Sequence, residues 1–149
     1  MSVPRLPRYR MTRPSVFTAL NRTETKVPFT NVPDNSPTGA FTVPGNSTVT
    51  VNWTGLYMIR TSVLFGNPAF TWKFAGVSVY INGVFDDWVA GAYGVDTTVT
   101  RLNGTTYKQL VKGDNIGIYC YQAQTTGDDI LTMGGDAFTS VDVVFMGKV

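Results

Sequence analysis

Alternation of apolar and polar positions recurs along most of this chain, and it predicts strands. Val49, Val51 and Trp53 share one face of residues 48–53. Tyr57, Ile59, Val63 and Phe65 share a face of residues 56–65, and Val77, Val79 and Ile81 share one of residues 77–81. In residues 116–122, Ile116, Ile118 and Cys120 stand on one side and Tyr119 and Tyr121 on the other. Val141, Val143 and Phe145 close the series. Turn signals separate these runs: Pro44-Gly45, Asn82-Gly83, Asn103-Gly104 and Thr126-Gly127-Asp128. No helical period of any length and no repeat interrupts them. The pattern predicts an all-β antiparallel β-sandwich over residues 15–149, opened by residues 15–20 after Pro14. Two stretches break the alternation, residues 67–74 and 85–95. They read as long aromatic loops carrying Trp72, Phe74, Asp86, Asp87, Trp88 and Tyr93, and long loops are common places for recognition.

Composition agrees with strands and adds one asymmetry. Of 149 residues 15 are Gly, 8 are Pro and only 15% are charged, which suits a single β-rich domain. The net charge of +2 hides an uneven distribution. Arg5, Arg8, Arg10, Arg13, Arg22 and Lys26 face one acid, Glu24, in residues 1–26, whereas the remainder is slightly acidic. Pro4, Pro7 and Pro14 punctuate the same segment. Residues 1–14 therefore read as an extended basic arm, disordered unless something holds it. Such an arm can bind phosphates, serve as a solubilising tail, or lie across a protein lattice. Val3, Leu6, Tyr9 and Met11, interleaved with arginine, favour protein docking through Arg5, Leu6, Arg8, Tyr9, Arg10 and Arg13, and no nucleic acid is expected. Arginine suits fixed, forked contacts, and no lysine precedes position 26.

Candidate chemistry is sparse. The chain has no histidine, which removes most general-base and triad schemes and the commonest metal ligand. Cys120 lies on the apolar side of its strand and reads as a small buried hydrophobe; a single cysteine suits a reducing compartment. Asp86-Asp87 and Asp128-Asp129 lack the spacing of a calcium loop and read as solvated loops. Lys112-Gly113-Asp114 resembles an integrin-binding tripeptide, but its place before a buried strand reads as a turn. The sequons at Asn21, Asn46, Asn52 and Asn103 read as chance in a chain with no leader pattern. No apolar run reaches the roughly 20 residues of a membrane helix. No enzyme activity, cofactor, metal or membrane contact is expected.

The ordered strands resemble the jelly roll shared by tumour necrosis factor and the globular heads of complement and related collagen-linked proteins. Ser15-Val16-Phe17-Thr18-Ala19-Leu20 resembles the family's first strand, and Val27-Pro28-Phe29-Thr30-Asn31-Val32 its next segment. Thr38-Gly39-Ala40-Phe41-Thr42-Val43-Pro44 precedes Gly55-Leu56-Tyr57-Met58-Ile59, similar to a Gly-Leu-Tyr signature. Val79-Tyr80-Ile81-Asn82-Gly83, then Leu110 with Gly113-Asp114 and Ile116, then Phe145-Met146-Gly147 complete the likeness. The stretch 45–53 departs from it by being longer than usual. The resemblance implies a homotrimer packed through aromatic faces, with Tyr57, Tyr119, Tyr121 and Phe145 as candidate contacts.

Taken together, these features lead to the expectation of a non-enzymatic virion protein, made in a host cytoplasm. It would be a trimeric decoration or cement protein of a bacteriophage-type capsid, its arms docked on the major capsid protein. The alternative is a receptor- or glycan-binding head of a fibre or spike, with Trp72, Phe74, Trp88 and Tyr93 stacking on a host-surface glycan and Asp86 and Asp87 accepting its hydroxyls.

Overall fold

In the computed structural model the chain folds as two packed antiparallel sheets. The structure describes residues 5–13, 15, 17–36, 39–43, 47–66, 72–93, 99–124, 130–133 and 139–149. For residues 31, 33–36, 66, 72–73, 93, 99–100, 124 and 130–133 it describes the backbone alone. The strands are β1 (Arg8–Thr12), β2 (Phe17–Ala19), β3 (Thr25–Lys26), β4 (Asn31–Ser36), β5 (Phe41–Thr42), β6 (Thr48–Val51) and β7 (Gly55–Gly66). They continue as β8 (Trp72–Ile81), β9 (Val84–Tyr93), β10 (Val99–Leu110), β11 (Asn115–Gln124), β12 (Ile130–Met133) and β13 (Ser140–Gly147).

Sheet 1 runs β10-β7-β13-β1-β4, with β12 and β2 extending it beside the far end of β7. Sheet 2 runs β9-β8-β11, with β6 and β3 following one another along the free side of β11 and β5 outside β6. The inward sets are those that alternation predicts. Val49, Val51, Tyr57, Ile59, Val63, Phe65, Val77, Val79, Ile116, Ile118, Cys120, Val141 and Val143 are all fully buried in one core. Trp53 lies past the end of β6 and is exposed.

Two expectations are corrected. Residues 8–12 are not part of a free arm. They form β1, an interior strand of sheet 1 between β13 and β4, so the 14/15 boundary does not separate arm from domain. The reason is an alternation masked by charge: Arg8, Arg10 and Thr12 point away from the core, while Tyr9, at 1% exposure, and Met11 enter it. Tyr9 packs against Phe41, and Phe41 against Tyr57, at centroid distances of 5.8 and 6.0 Å.

Residues 85–93 are not a loop either. They belong to β9, which pairs with β8 through the Asn82-Gly83 turn; both turn residues have positive φ (54° and 78°), as a tight hairpin of matching twist requires. The alternation fails because β9 carries two extra residues. Ala90 faces Val77 and Trp88 faces Ser78, which leaves Val89 over. Asp87 faces Val79 and Phe85 faces Tyr80, which leaves Asp86 over. Both bulges serve the seam between the sheets. Asp86 and Asp87 reach Lys108 of β10 at 2.6 and 3.2 Å. Val89 brings its backbone so close to Gly104 of β10 that no side chain fits there. Residues 67–71 lie outside the described residues, and Trp72 begins β8.

Candidate functional site

The outward face of sheet 1 is ordered in rows by strand register. One row reads Tyr107, Met58, Val144 and Arg8; the next, Thr105, Arg60, Asp142 and Arg10; the third, Asn103, Ser62, Ser140 and Thr12. Asp142 is only 3% exposed and holds three guanidinium groups. Arg8 donates from Nε (2.9 Å) and Nη2 (2.5 Å), Arg10 from Nη1 (3.2 Å) and Arg60 from Nη2 (3.2 Å). Four such donors occupy about all the lone-pair positions of one carboxylate. Beside them opens a cleft of about 340 Å3 lined by Arg10, Arg60, Ser62, Asn103, Ser140 and Asp142. In the apolar row Tyr107 is 58% exposed, Met58 is half-buried and Val144 is buried, and Met146 beyond it is exposed.

Most of the expected docking residues are therefore engaged within the domain. Arg8 and Arg10 hold Asp142, and Tyr9 is core. Arg13 donates to the carbonyls of Ser15 and Pro28 at 3.1 and 3.2 Å. Pro7 is pinned by the Phe145 N–H at 2.8 Å. Arg5 and Leu6 remain exposed in front of β1. Val3 and Pro4 lie outside the described residues.

The four aromatic residues expected at a trimer interface separate. Tyr57 points into the core, where it is fully buried and its hydroxyl donates to the Trp53 carbonyl at 2.7 Å. Burial pushes its phenol up to about 12. It is an inward position of β7, so it offers no surface to another copy. Phe145 is half-buried at the end of the sandwich, edge-on to Tyr57 and Trp53 at 5.2 Å each. Tyr119 and Tyr121 stand on the outer face of sheet 2.

That outer face brings together rings from three strands: Phe74 and Tyr80 of β8, Phe85 and Trp88 of β9, and Tyr119 and Tyr121 of β11. Trp88 touches Phe74 at 5.3 Å, Phe85 at 5.6 Å and Tyr121 at 6.3 Å. Tyr80 stacks on Tyr119 at 4.0 Å and meets Phe85 edge-on at 5.8 Å. Glycines form the floor. A Cβ on Gly76 would lie 2.6 Å from the Trp88 ring and 2.8 Å from the Phe74 ring; on Gly91 it would lie 3.0 Å from Phe74, and on Gly117 3.3 Å from Tyr119. The rings thus pack directly against bare backbone, with Phe74 and Trp88 at 88° to each other. Trp88 and Phe85 remain 42% and 44% exposed.

Polar groups are set into the same surface. Ser78, on the outward side of β8, is fully buried and donates to Glu24 at 3.2 Å. Burial raises the Glu24 carboxyl above its ordinary value, and the Ser78 bond opposes this in part. Lys26 lies over Gly117 beside Tyr119, donates to Thr48 at 2.6 Å, and is lowered by burial.

Of the loop residues singled out from the sequence, Phe74 and Trp88 belong to this face, whereas Asp86 and Asp87 are turned to Lys108 and close the seam. Trp72 and Tyr93 occupy strand positions opposite Gln124 and Phe74, and their side chains lie outside the described residues. Asp128 and Asp129 also lie outside them. Tyr80, Phe85, Glu24 and Ser78 were not proposed for this face from the sequence. The available signal was the outward set of β8 (Phe74, Gly76, Ser78, Tyr80) beside that of β11 (Gly117, Tyr119, Tyr121), in which each position is aromatic, glycine or serine.

Elsewhere, Lys112-Gly113-Asp114 is a turn. Gly113 has φ +99°, its N–H bonds Val51, and the Asp114 carboxylate accepts from the Val111 N–H and from Asn82. The Cys120 thiol is buried and pushed up to about 12, which keeps it unreactive. Among the described residues no group of three His, Cys, Asp or Glu could hold a metal ion, and no helix is long and apolar enough to cross a membrane.

No protein-family model and no curated protein sequence matches the chain. Solved structures do resemble it. Eiger TNF from S. frugiperda superposes with a TM-score of 0.71 at 11% identity, covering 97% of this chain and 94% of that one. Murine APRIL gives 0.67 at 16%, covering 95% and 100%. The globular domain of zebrafish complement 1qA gives 0.64 at 12%, covering 96% and 99%. At such identities the likeness shows the fold, a jelly roll of the TNF and C1q kind with an all-β antiparallel architecture.

Proposed function

We propose that this chain is a non-enzymatic structural head that assembles as a homotrimer on the surface of a virus particle. The observation that carries the assembly is the outer face of sheet 1. Tyr107 and Met146 are exposed and Met58 between them is half-buried, and beside them the charges of Asp142, Arg8, Arg10 and Arg60 are already paired within one protomer. Covering such a face removes apolar area from water without stranding the buried carboxylate. The trimeric jelly roll implied by the sequence resemblance supports the same stoichiometry.

Attachment to the major capsid protein, as a decoration or cement protein, falls to the residues ahead of β1. Among the described residues Arg5 and Leu6 are the exposed part of the basic arm once Arg8–Thr12 is folded in, and three copies on one trimer would act multivalently. The test is a chain lacking residues 1–6, which keeps β1. It is expected to remain a trimer and to lose binding to capsids. Undiminished capsid binding would contradict the docking role. Removing residues 1–14 would instead take a strand out of sheet 1, and its outcome would report on folding.

A second reading, a head that binds a host-surface glycan, is favoured by one specific observation: the aromatic outer face of sheet 2, with Trp88 and Phe85 open to solvent. The two readings are compatible, because they use different faces.

A further inference from the structure

The outer face of sheet 2 has three properties that together specify a ligand. It is a packed layer of rings, because glycine under Phe74, Trp88 and Tyr119 brings them against the sheet backbone, where Trp88 meets its neighbours edge-on and Tyr80 stacks on Tyr119. It is aromatic rather than aliphatic: the described outward positions of β8 and β11 hold no Leu, Ile or Met. It carries no excess of positive charge, since Glu24 stands against Lys26 on the face and Lys108 takes up one of the two charges of Asp86 and Asp87 at its edge.

We propose that this face binds a neutral, pyranose-containing oligosaccharide, an inference that deepens the glycan reading and rests on it. The C–H groups of a pyranose carry slight positive charge and suit the negative face of an aromatic ring. An exposed ring such as Trp88 offers a stacking partner for the disc of a sugar, whereas a cationic ligand would call for a cage around it. A phosphate or sulfate would call for excess positive charge, which this face lacks. Trp88, the exposed ring that touches three others, is the stacking platform. The hydroxyls of Tyr80, Tyr119 and Tyr121 and the ammonium of Lys26 supply donors. The Glu24 carboxylate, held by Ser78, is the strongest acceptor on the face and fixes the sugar's orientation through its hydroxyls. Asp86 and Asp87 take no part, because Lys108 holds them.

The test uses the full chain, titrated with cellotetraose, mannotetraose and lacto-N-tetraose and with sialylated and sulfated oligosaccharides, followed by tryptophan fluorescence and by NMR of the sugar. Saturable binding of at least one neutral probe is expected, with a Kd of about 1 mM or tighter per site. Trp88→Ala should weaken it at least about tenfold and Glu24→Gln about fivefold, whereas Arg60→Ala on the opposite sheet should not change it. Thermal unfolding of each variant checks the fold. Binding confined to charged probes, or binding that survives both substitutions, overturns the assignment of a neutral ligand to this face. Failure of every sugar, with host-cell adhesion still dependent on Trp88, overturns the glycan reading altogether and makes the face a protein-docking surface.

Discussion

The two outer faces of this sandwich are built in opposite ways. On sheet 1 the central outward side chains Arg8, Arg10 and Arg60 are long and charged, and they converge on one buried carboxylate that ties β1, β7 and β13 together. On sheet 2 they are rings resting on glycine, touching one another but fixing little else. The first face is part of what holds the domain together; the second is laid over a sheet whose stability comes from its other side. A surface that carries folding energy is constrained in what it can present, whereas one laid on a finished sheet is free to be shaped for a partner.

The sharpest way to break this contrast is to remove the hub of the ionic face. Asp142→Ala leaves three guanidinium groups facing one another across interior strands. It is expected to cost about 3 kcal/mol, near the lower end for a buried charge partner because the arginines can turn to water. For a domain of this size that is a fall of roughly 10 °C in Tm, measured by calorimetry. Trp88→Ala should cost less than about 1 kcal/mol, since the ring is exposed on its far side.

The glycine floor comes next. Gly76→Ala puts a methyl group into the Trp88 and Phe74 rings, which must lift or tilt. An overpacking cost of about 1–2 kcal/mol is expected. The clearer sign is a changed near-ultraviolet spectrum at unaltered far-ultraviolet signal. An unchanged near-ultraviolet spectrum would show that the rings do not rest on that backbone.

The smallest effect concerns pH. Burial raises the folded-state value of Glu24 above the ordinary 4.5, so between these two values the folded chain holds more proton than the unfolded one. Stability therefore falls as pH rises above about 4.5 through the raised value, and is flat beyond it. Glu24→Gln should remove this component, as denaturant midpoints across that window would show. On sheet 1 the Arg60→Ala variant should leave it in place.

The sequence displayed most of the core plainly, because Val49, Ile59, Val79, Ile118 and Val143 alternate without interruption. It concealed β1, where the same alternation is written in arginine, tyrosine and methionine. Charge on the outward positions made an interior strand look like a tail, and its partner Asp142 lies 134 residues from Arg8. It concealed β9 for a different reason. Two bulges shift the inward and outward positions, so no single period survives between Phe85 and Tyr93. Tyr57 carried an ambiguous signal, since its period placed it with Ile59 and Phe65 while its chemistry suited an interface, and the period prevailed. The aromatic face was legible only in pieces. Tyr119 and Tyr121 pointed away from the apolar side of their strand, and Trp88 stood out in its segment, but the register that joins them runs through residues far apart in the chain.

The division of labour between the faces is tested most directly by sedimentation of two charge insertions, Tyr107→Glu on sheet 1 and Trp88→Glu on sheet 2, beside the unaltered chain. The unaltered chain and Trp88→Glu are expected to sediment as trimers, and Tyr107→Glu as a folded monomer. A trimer that survives Tyr107→Glu and dissociates with Trp88→Glu would contradict the account and place self-association on the aromatic face.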